Sequence, residues 1–181
     1  MYYVVTYTGK FAFIKPWTAV RDGETFSQQF LTPSIIEGIE KKLFPEMLAE
    51  SGIKHIVRHK LTYQSMDPQQ EVTQSRGFNK QGMRERSVIK RNVLLNPVLK
   101  LAFLSADDAE RAKIQHICLC RNEDILLPQP LAEEMTEEDF NQLPGFELRL
   151  GDSPQSFMVG FNRFSNCSPM KGWLEYNGQS L

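Results

Sequence analysis

Apolar and polar positions along the chain switch between a period of two and a period near 3.6, and the switches mark elements. Tyr2 to Thr8 is β-branched and aromatic and reads as a strand. Gly9 permits a bend, and Phe11, Phe13 and Ile14 extend the run until Pro16 interrupts it. Arg21-Asp22-Gly23-Glu24 is a turn signal. Thr32-Pro33-Ser34 opens a helix, with Thr32 as N-cap and Pro33 at the first helical position. Ile35, Ile36, Ile39 and Leu43 follow at helical spacing, with Glu37, Glu40, Lys41 and Lys42 assigned to the solvent face.

Ile53 to Tyr63 reads as a strand whose alternation slips at Ile56-Val57. A polar stretch, Ser65 to Gln81, then returns through Arg84 to Arg91 into Val93-Leu94-Leu95. It is too long for a tight hairpin loop and reads either as a protruding ribbon or as a partly disordered excursion. Val98 to Leu104 is the next strand. Ser105 caps a helix predicted to reach about Gln115, and His116 to Cys120 is a short apolar strand. Beyond Pro128-Gln129-Pro130, an acidic helix capped by Thr136 and strands at Phe146–Leu150, Phe157–Phe164 and Trp173–Tyr176 are expected.

This order is the split β-α-β-β-α-β pattern of an α+β, ferredoxin-like (RRM-like) domain. Such a sheet leaves one face open, and nucleic-acid modules use that face. Residues 1–125 are read as this domain and 126–181 as a C-terminal β extension packed on it.

Charge sharpens the picture. The formal net charge is −1, yet residues 54–91 carry nine Lys/Arg against three acids, and residues 105–152 carry twelve acids against four bases. A localised cationic segment presents a favourable field to a polyanion even when the total is near zero. Phe78, between a glycine and bases, reads either as a base-stacking ring or as a packing anchor.

Chemistry is sparse. The chain has no Walker loop, no His-Glu-x-x-His helix, no Gly-x-Ser-x-Gly elbow and no Cys-x-x-Cys pair. Its three cysteines, Cys118, Cys120 and Cys167, read as buried structural thiols. No cofactor and no metal are expected. No run reaches the ~18 apolar residues of a membrane span, and the first residues lack a basic leader, so a cytoplasmic protein is expected. His55 and His59, four apart on one strand, are the candidates for metal-independent acid–base cleavage of RNA, or are simply basic strand residues.

Three segments resemble the fifth CRISPR-associated protein family, a branch of the RAMP superfamily. They are Gly9-Lys10-Phe11-Ala12-Phe13-Ile14-Lys15-Pro16, Phe26 through Ile39 with Thr32-Pro33-Ser34, and Ile117-Cys118-Leu119-Cys120-Arg121-Asn122-Glu123. Cys120 and Asn122 depart from the family's Gly-x-Arg-Glu ending. The resemblance implies a thumb-like β-ribbon at residues 65–88. It also implies a place in a type I-like surveillance complex, capping the 5′ handle of the CRISPR RNA in antiviral defence. Partners would be the crRNA, the repeated backbone subunit, the large subunit and, indirectly, target DNA. Some relatives cut precursor RNA with a tyrosine and a Lys-His pair. Here Phe44 falls at the tyrosine position, and Lys113 and His116 are the nearest approximation to the pair.

The expected RNA contacts are Arg76, Lys80, Arg84 and Arg86 on the thumb and Arg58, Lys60, Lys90 and Arg91 on strands. Phe78 would stack on a base, and Ser34 would stand at a helix N-terminus offering N–H groups to phosphate. The alternatives are an endoribonuclease on the same fold, and a protein-interaction module without RNA that uses the acidic segment.

Overall fold

Val4 to Tyr7 are buried along the whole of strand β1 (Tyr2–Thr8), so this strand lies inside the molecule with both faces covered. The computed structural model describes residues 1–16, 23–74, 77–162 and 167–178. Antiparallel neighbours flank β1: β7 (Val98–Phe103) on one side and β9 (Ile125–Pro128) on the other. Strand β4 (Ile56–Thr62) pairs antiparallel with β7. The resulting order β4-β7-β1-β9 is the sheet of a ferredoxin-like α+β domain.

Helices α1 (Pro33–Leu43) and α2 (Ala106–Ala112) supply the two crossovers. Ile36, Ile39 and Leu43 of α1 and Ala109 and Ala112 of α2 meet Val5, Tyr7, Leu99, Leu101 and Phe103 in the main core. The Tyr7 hydroxyl donates to the Ala112 carbonyl at 2.6 Å, tying the end of α2 to the central strand. Burial pushes that phenol's pKa up, so it remains a donor. Ser105 caps α2 as the sequence indicates. Thr32 stands at the N-cap of α1, but its hydroxyl pairs with Ser34 instead of a backbone N–H.

Glu40 departs from its expected place on the solvent face. It is 1% exposed, and its carboxylate accepts the backbone N–H groups of Lys54, His55 and Ile56 at 2.7, 2.8 and 2.8 Å. Those donors lie at the entry to β4, and the buried carboxylate satisfies all three.

The opposite face of the sheet is not open. Strand β10 (Glu133–Met135) pairs with the first half of β1, and helix α3 (Glu137–Gln142) follows it. Glu133 to Met135 is therefore strand, and the expected acidic helix begins only after the Thr136–Asp139 capping box. Phe140 packs on Val4 and Ala102 in a second, smaller cluster. The strand expected at 116–120 shrinks to β8 (Ile117–Cys118), hairpinned to β9, and it is β9 that lies beside β1.

Strands β11 (Gly145–Leu150), β13 (Ser168–Asn177) and β12 (Phe157–Asn162) continue the sheet beyond β4. Arg21, Asp22 and Phe164 lie outside the described residues. The thiols are not buried: Cys118 is partly exposed, Cys120 and Cys167 exposed.

The polar stretch is an ordered ribbon. Strands β5 (Ser65–Gln74) and β6 (Arg86–Leu95) pair in unbroken antiparallel register from Ser65↔Leu95 to Gln74↔Arg86. Pro68 is tolerated because β5 is an edge strand. The root of β6 is flanked by β2 (Phe11–Ala12) and by β3 (Glu24–Phe26), which runs parallel to it.

Candidate nucleic-acid interface

The ribbon ends in a built loop. The Asn79 side-chain oxygen accepts the backbone N–H groups of Gln81 and Met83 at 3.0 and 2.9 Å. Backbone bonds from Asn79 to Met83 and from Gly82 to Asn79 close the turn. Gly82 takes φ +76°, a conformation that a side chain would strain. On this loop the Arg84 guanidinium lies 5.2 Å from the centre of the Phe78 ring, which is 66% exposed. Lys80 is exposed beside them. Asn79 carries no signal of its own in the sequence. Only the loop geometry reveals it as the organiser of the tip.

Along β6 the side chains alternate, so Arg86, Val88 and Lys90 share one face. Val88 stands opposite Val72 across the ribbon, and both valines are more than half exposed. The face is thus an apolar pair between two cations, suited to a sugar-phosphate chain. Lys80, Arg84, Arg86 and Lys90 have no carboxylate partner among the described residues. Glu24, the register partner of Lys90 on β3, is engaged by the Asn92 amide at 3.0 Å.

Three expected contacts, Arg58, Lys60 and Arg91, are engaged within the protein. Arg58 is 6% exposed and grips Glu147 through two bonds of 2.7 Å, with Asn141 at 2.9 Å and the Phe140 ring beneath it. Burial opposes its charge, but Glu147 outweighs burial and holds the guanidinium's pKa up. Lys60 is 2% exposed, and burial holds its pKa down against the pull of Glu147 and Glu175. Both leave the interface for a simple reason: β11, paired beside β4, brings Glu147 to both, and Phe140 and Asn141 of α3 close over Arg58. Arg91 lies on the other face of β6, paired with Glu71 and 5.1 Å from the Phe13 ring. Ser34 is exposed on the first turn of α1, hydrogen-bonded to Thr32 at 3.0 Å and not to the ribbon. Arg76 lies outside the described residues.

Arg121 is a cation the sequence reading left unassigned. Its guanidinium also lies over Phe13, at 5.5 Å, and it clasps the buried Asp124. Phe13 thereby joins the root of the ribbon (Arg91) to the β8–β9 turn.

The histidines separate. A bulge between Ile56 and Arg58 breaks the alternation, leaving Val57 exposed and His59 3% exposed. Burial lowers the His59 pKa to about 4, and its Nε2 has no partner. His55 stacks on Phe44 at 4.3 Å and bonds Asp108 at 2.9 Å. His59 therefore has no access to a substrate, and the two rings form no pair. Among the described residues, no three His, Cys, Asp or Glu side chains gather as metal ligands, and no helix is long and apolar enough to cross a membrane.

Fold and site together define a ferredoxin-like α+β chain carrying a cationic two-stranded arm. The same fold occurs in a chain of a CRISPR RNA-guided surveillance complex, with a TM-score of 0.53 and 13% identity over 98% of this chain and 90% of that one. A functionally uncharacterized Streptococcus mutans protein aligns at a TM-score of 0.42 and 14% identity, over 97% of this chain and 87% of its own, too low to argue from. No protein-family profile and no curated protein matches the sequence.

Proposed function

We propose that this chain is an RNA-binding subunit of a type I-like CRISPR surveillance complex, where it caps the 5′ handle of the guide RNA. It acts by binding, and a separate enzyme processes the precursor. The observation that carries this reading is the arm: Lys80, Arg84, Arg86 and Lys90 are exposed on it and have no carboxylate partner among the described residues. Such cations neutralise phosphates and release counterions, which makes affinity depend steeply on salt. Phe78, with Arg84 across its ring, offers a stacking surface to a base. The shared fold with a surveillance-complex chain supports the setting. The backbone and large subunits are the proposed protein partners, and target DNA is met through the guide.

Replacing Arg84 and Arg86 with alanine tests the reading. Affinity for single-stranded repeat RNA should fall, and the slope of log affinity against log salt should flatten by roughly one to two units. An unchanged slope would sink the proposal.

A further inference from the structure

We propose that the cleft at the foot of the arm holds one unpaired base of the same single-stranded RNA; this inference rests on the reading of the arm given above. The cleft, of about 320 Å³, lies between the end of β4 and the paired strands β11 and β13. Three rings line it. Tyr63 and Phe146 are nearly parallel, at 12°, with centroids 6.4 Å apart. Phe146 and Tyr176 are 4.5 Å apart. Phe146 and Tyr176 belong to neither hydrophobic core, and Tyr176 is 55% exposed. Tyr63 also packs against the main core and anchors the group; Phe146 and Tyr176 extend it outward as a platform that a flat ligand can continue.

Gly145 makes the platform possible. It adopts φ +126°, and a Cβ there would stand 2.8 Å from the Leu61 carbonyl oxygen. Glycine lets β11 come that close to β4 and sets Phe146 directly opposite Leu61.

Among the described residues, no charged side chain lines the cleft. That favours a neutral planar group over a phosphate or a carboxylate. The polar groups fit a base edge. Gln64 accepts from the Asn96 amide at 2.6 Å, which leaves its own NH₂ as a donor. Asn177 spends its NH₂ on the Asn141 carbonyl at 2.9 Å, which leaves its side-chain oxygen as an acceptor. Burial and the neighbouring Tyr176 raise the Tyr63 pKa, so that phenol stays neutral. Position completes the case. Gln64 immediately precedes β5, and Asn96 immediately follows β6, so the cleft opens where the cationic arm leaves the sheet. In this proposal a nucleotide bound at the arm's root places its base on the rings.

The test uses the full chain and a short single-stranded RNA, intact and with an abasic site at each position in turn. In the unaltered protein, one abasic position should cost about tenfold in affinity. Tyr176→Ala should lose about the same factor on intact RNA, erase that positional penalty and leave the salt slope untouched. Tyr176→Phe should behave as the unaltered protein, because the ring and not the hydroxyl stacks. An unchanged affinity and abasic profile in Tyr176→Ala, with the arm's salt slope intact, overturns the cleft alone. If Arg84→Ala/Arg86→Ala leaves the salt slope unchanged, the reading of the arm falls and this inference falls with it.

Discussion

Arg58 of β4 and Glu147 of β11 are joined by two parallel bonds of 2.7 Å, with 6% and 2% of their side-chain surfaces exposed. Glu147 also accepts the His59 backbone N–H at 3.2 Å. The pair bridges two strands whose own ladder is a single bridge, Phe146↔Leu61. It thus holds the C-terminal strands on the ferredoxin-like sheet where backbone pairing is thin. Removing Glu147 leaves the buried Arg58 charge with only Glu137 and Glu175, each 3.7 Å away, and breaking a buried pair in this way costs about 3 kcal/mol. Glu147→Ala should therefore shift the urea midpoint far downward. Replacing both residues with apolar ones of similar volume should recover most of the loss, and failure to recover would show that the pair is not acting as a unit.

Glu40 is a second buried carboxylate with a different task. It satisfies three backbone donors at the entry to β4. Glu40→Ala leaves them unpaired, and the buried Ile56 N–H, which water cannot reach, costs about 1–3 kcal/mol. Glu40→Gln keeps one carbonyl acceptor and should cost less. Thermal unfolding of the two variants checks the order.

The arm's tip should be locally, not globally, dependent on Asn79. Asn79→Ala removes the acceptor for the Gln81 and Met83 N–H groups. Both are exposed, so the unfolding midpoint should move by under about 1 kcal/mol. Amide exchange at residues 79–84 should nevertheless accelerate, and RNA affinity should drop a few-fold as Phe78 and Arg84 lose their frame. Slow exchange retained in the variant would assign the loop's order to something else.

His59 sets a pH dependence whose sign follows from its burial. Its folded-state pKa is lowered to about 4 from an ordinary 6.5, so the unfolded chain binds the proton first as pH falls. Stability from this group is present above pH 6.5 and is lost as pH falls from there toward 4. Between pH 7 and pH 5 the loss is about 2 kcal/mol. His59→Met fills similar volume without a titrating group, and its urea midpoint should fall less over that interval. Identical pH profiles for the two proteins would refute the assignment.

Much of the architecture was legible in the chain. Thr32-Pro33, Ser105 and Thr136 mark helix starts because capping is local chemistry, carried by residues one to three apart. The basic run around Lys80, Arg84 and Arg86 was legible for a similar reason, since polar residues flanking glycines must stay on the surface. What was misread depended on distant partners. Arg58 and Lys60 look like surface bases until β11, from nearly ninety residues further on, supplies Glu147. Glu40 looks like a solvent charge until residues 54–56 present their N–H groups.

Local sequence thus determined the element order, the helix caps and the cationic character of residues 76–91, because each depends on neighbours within a turn or a strand. Tertiary structure alone decided which cations stay free. A charge is neutralised or exposed according to what the sheet brings beside it: β11, α3 and Glu71 claim Arg58, Lys60 and Arg91, while no carboxylate among the described residues pairs with Lys80, Arg84 or Arg86. The cleft of Tyr63, Phe146 and Tyr176 has the same origin: Tyr63 is more than eighty residues from the other two rings and meets them only because β11 crosses back onto β4.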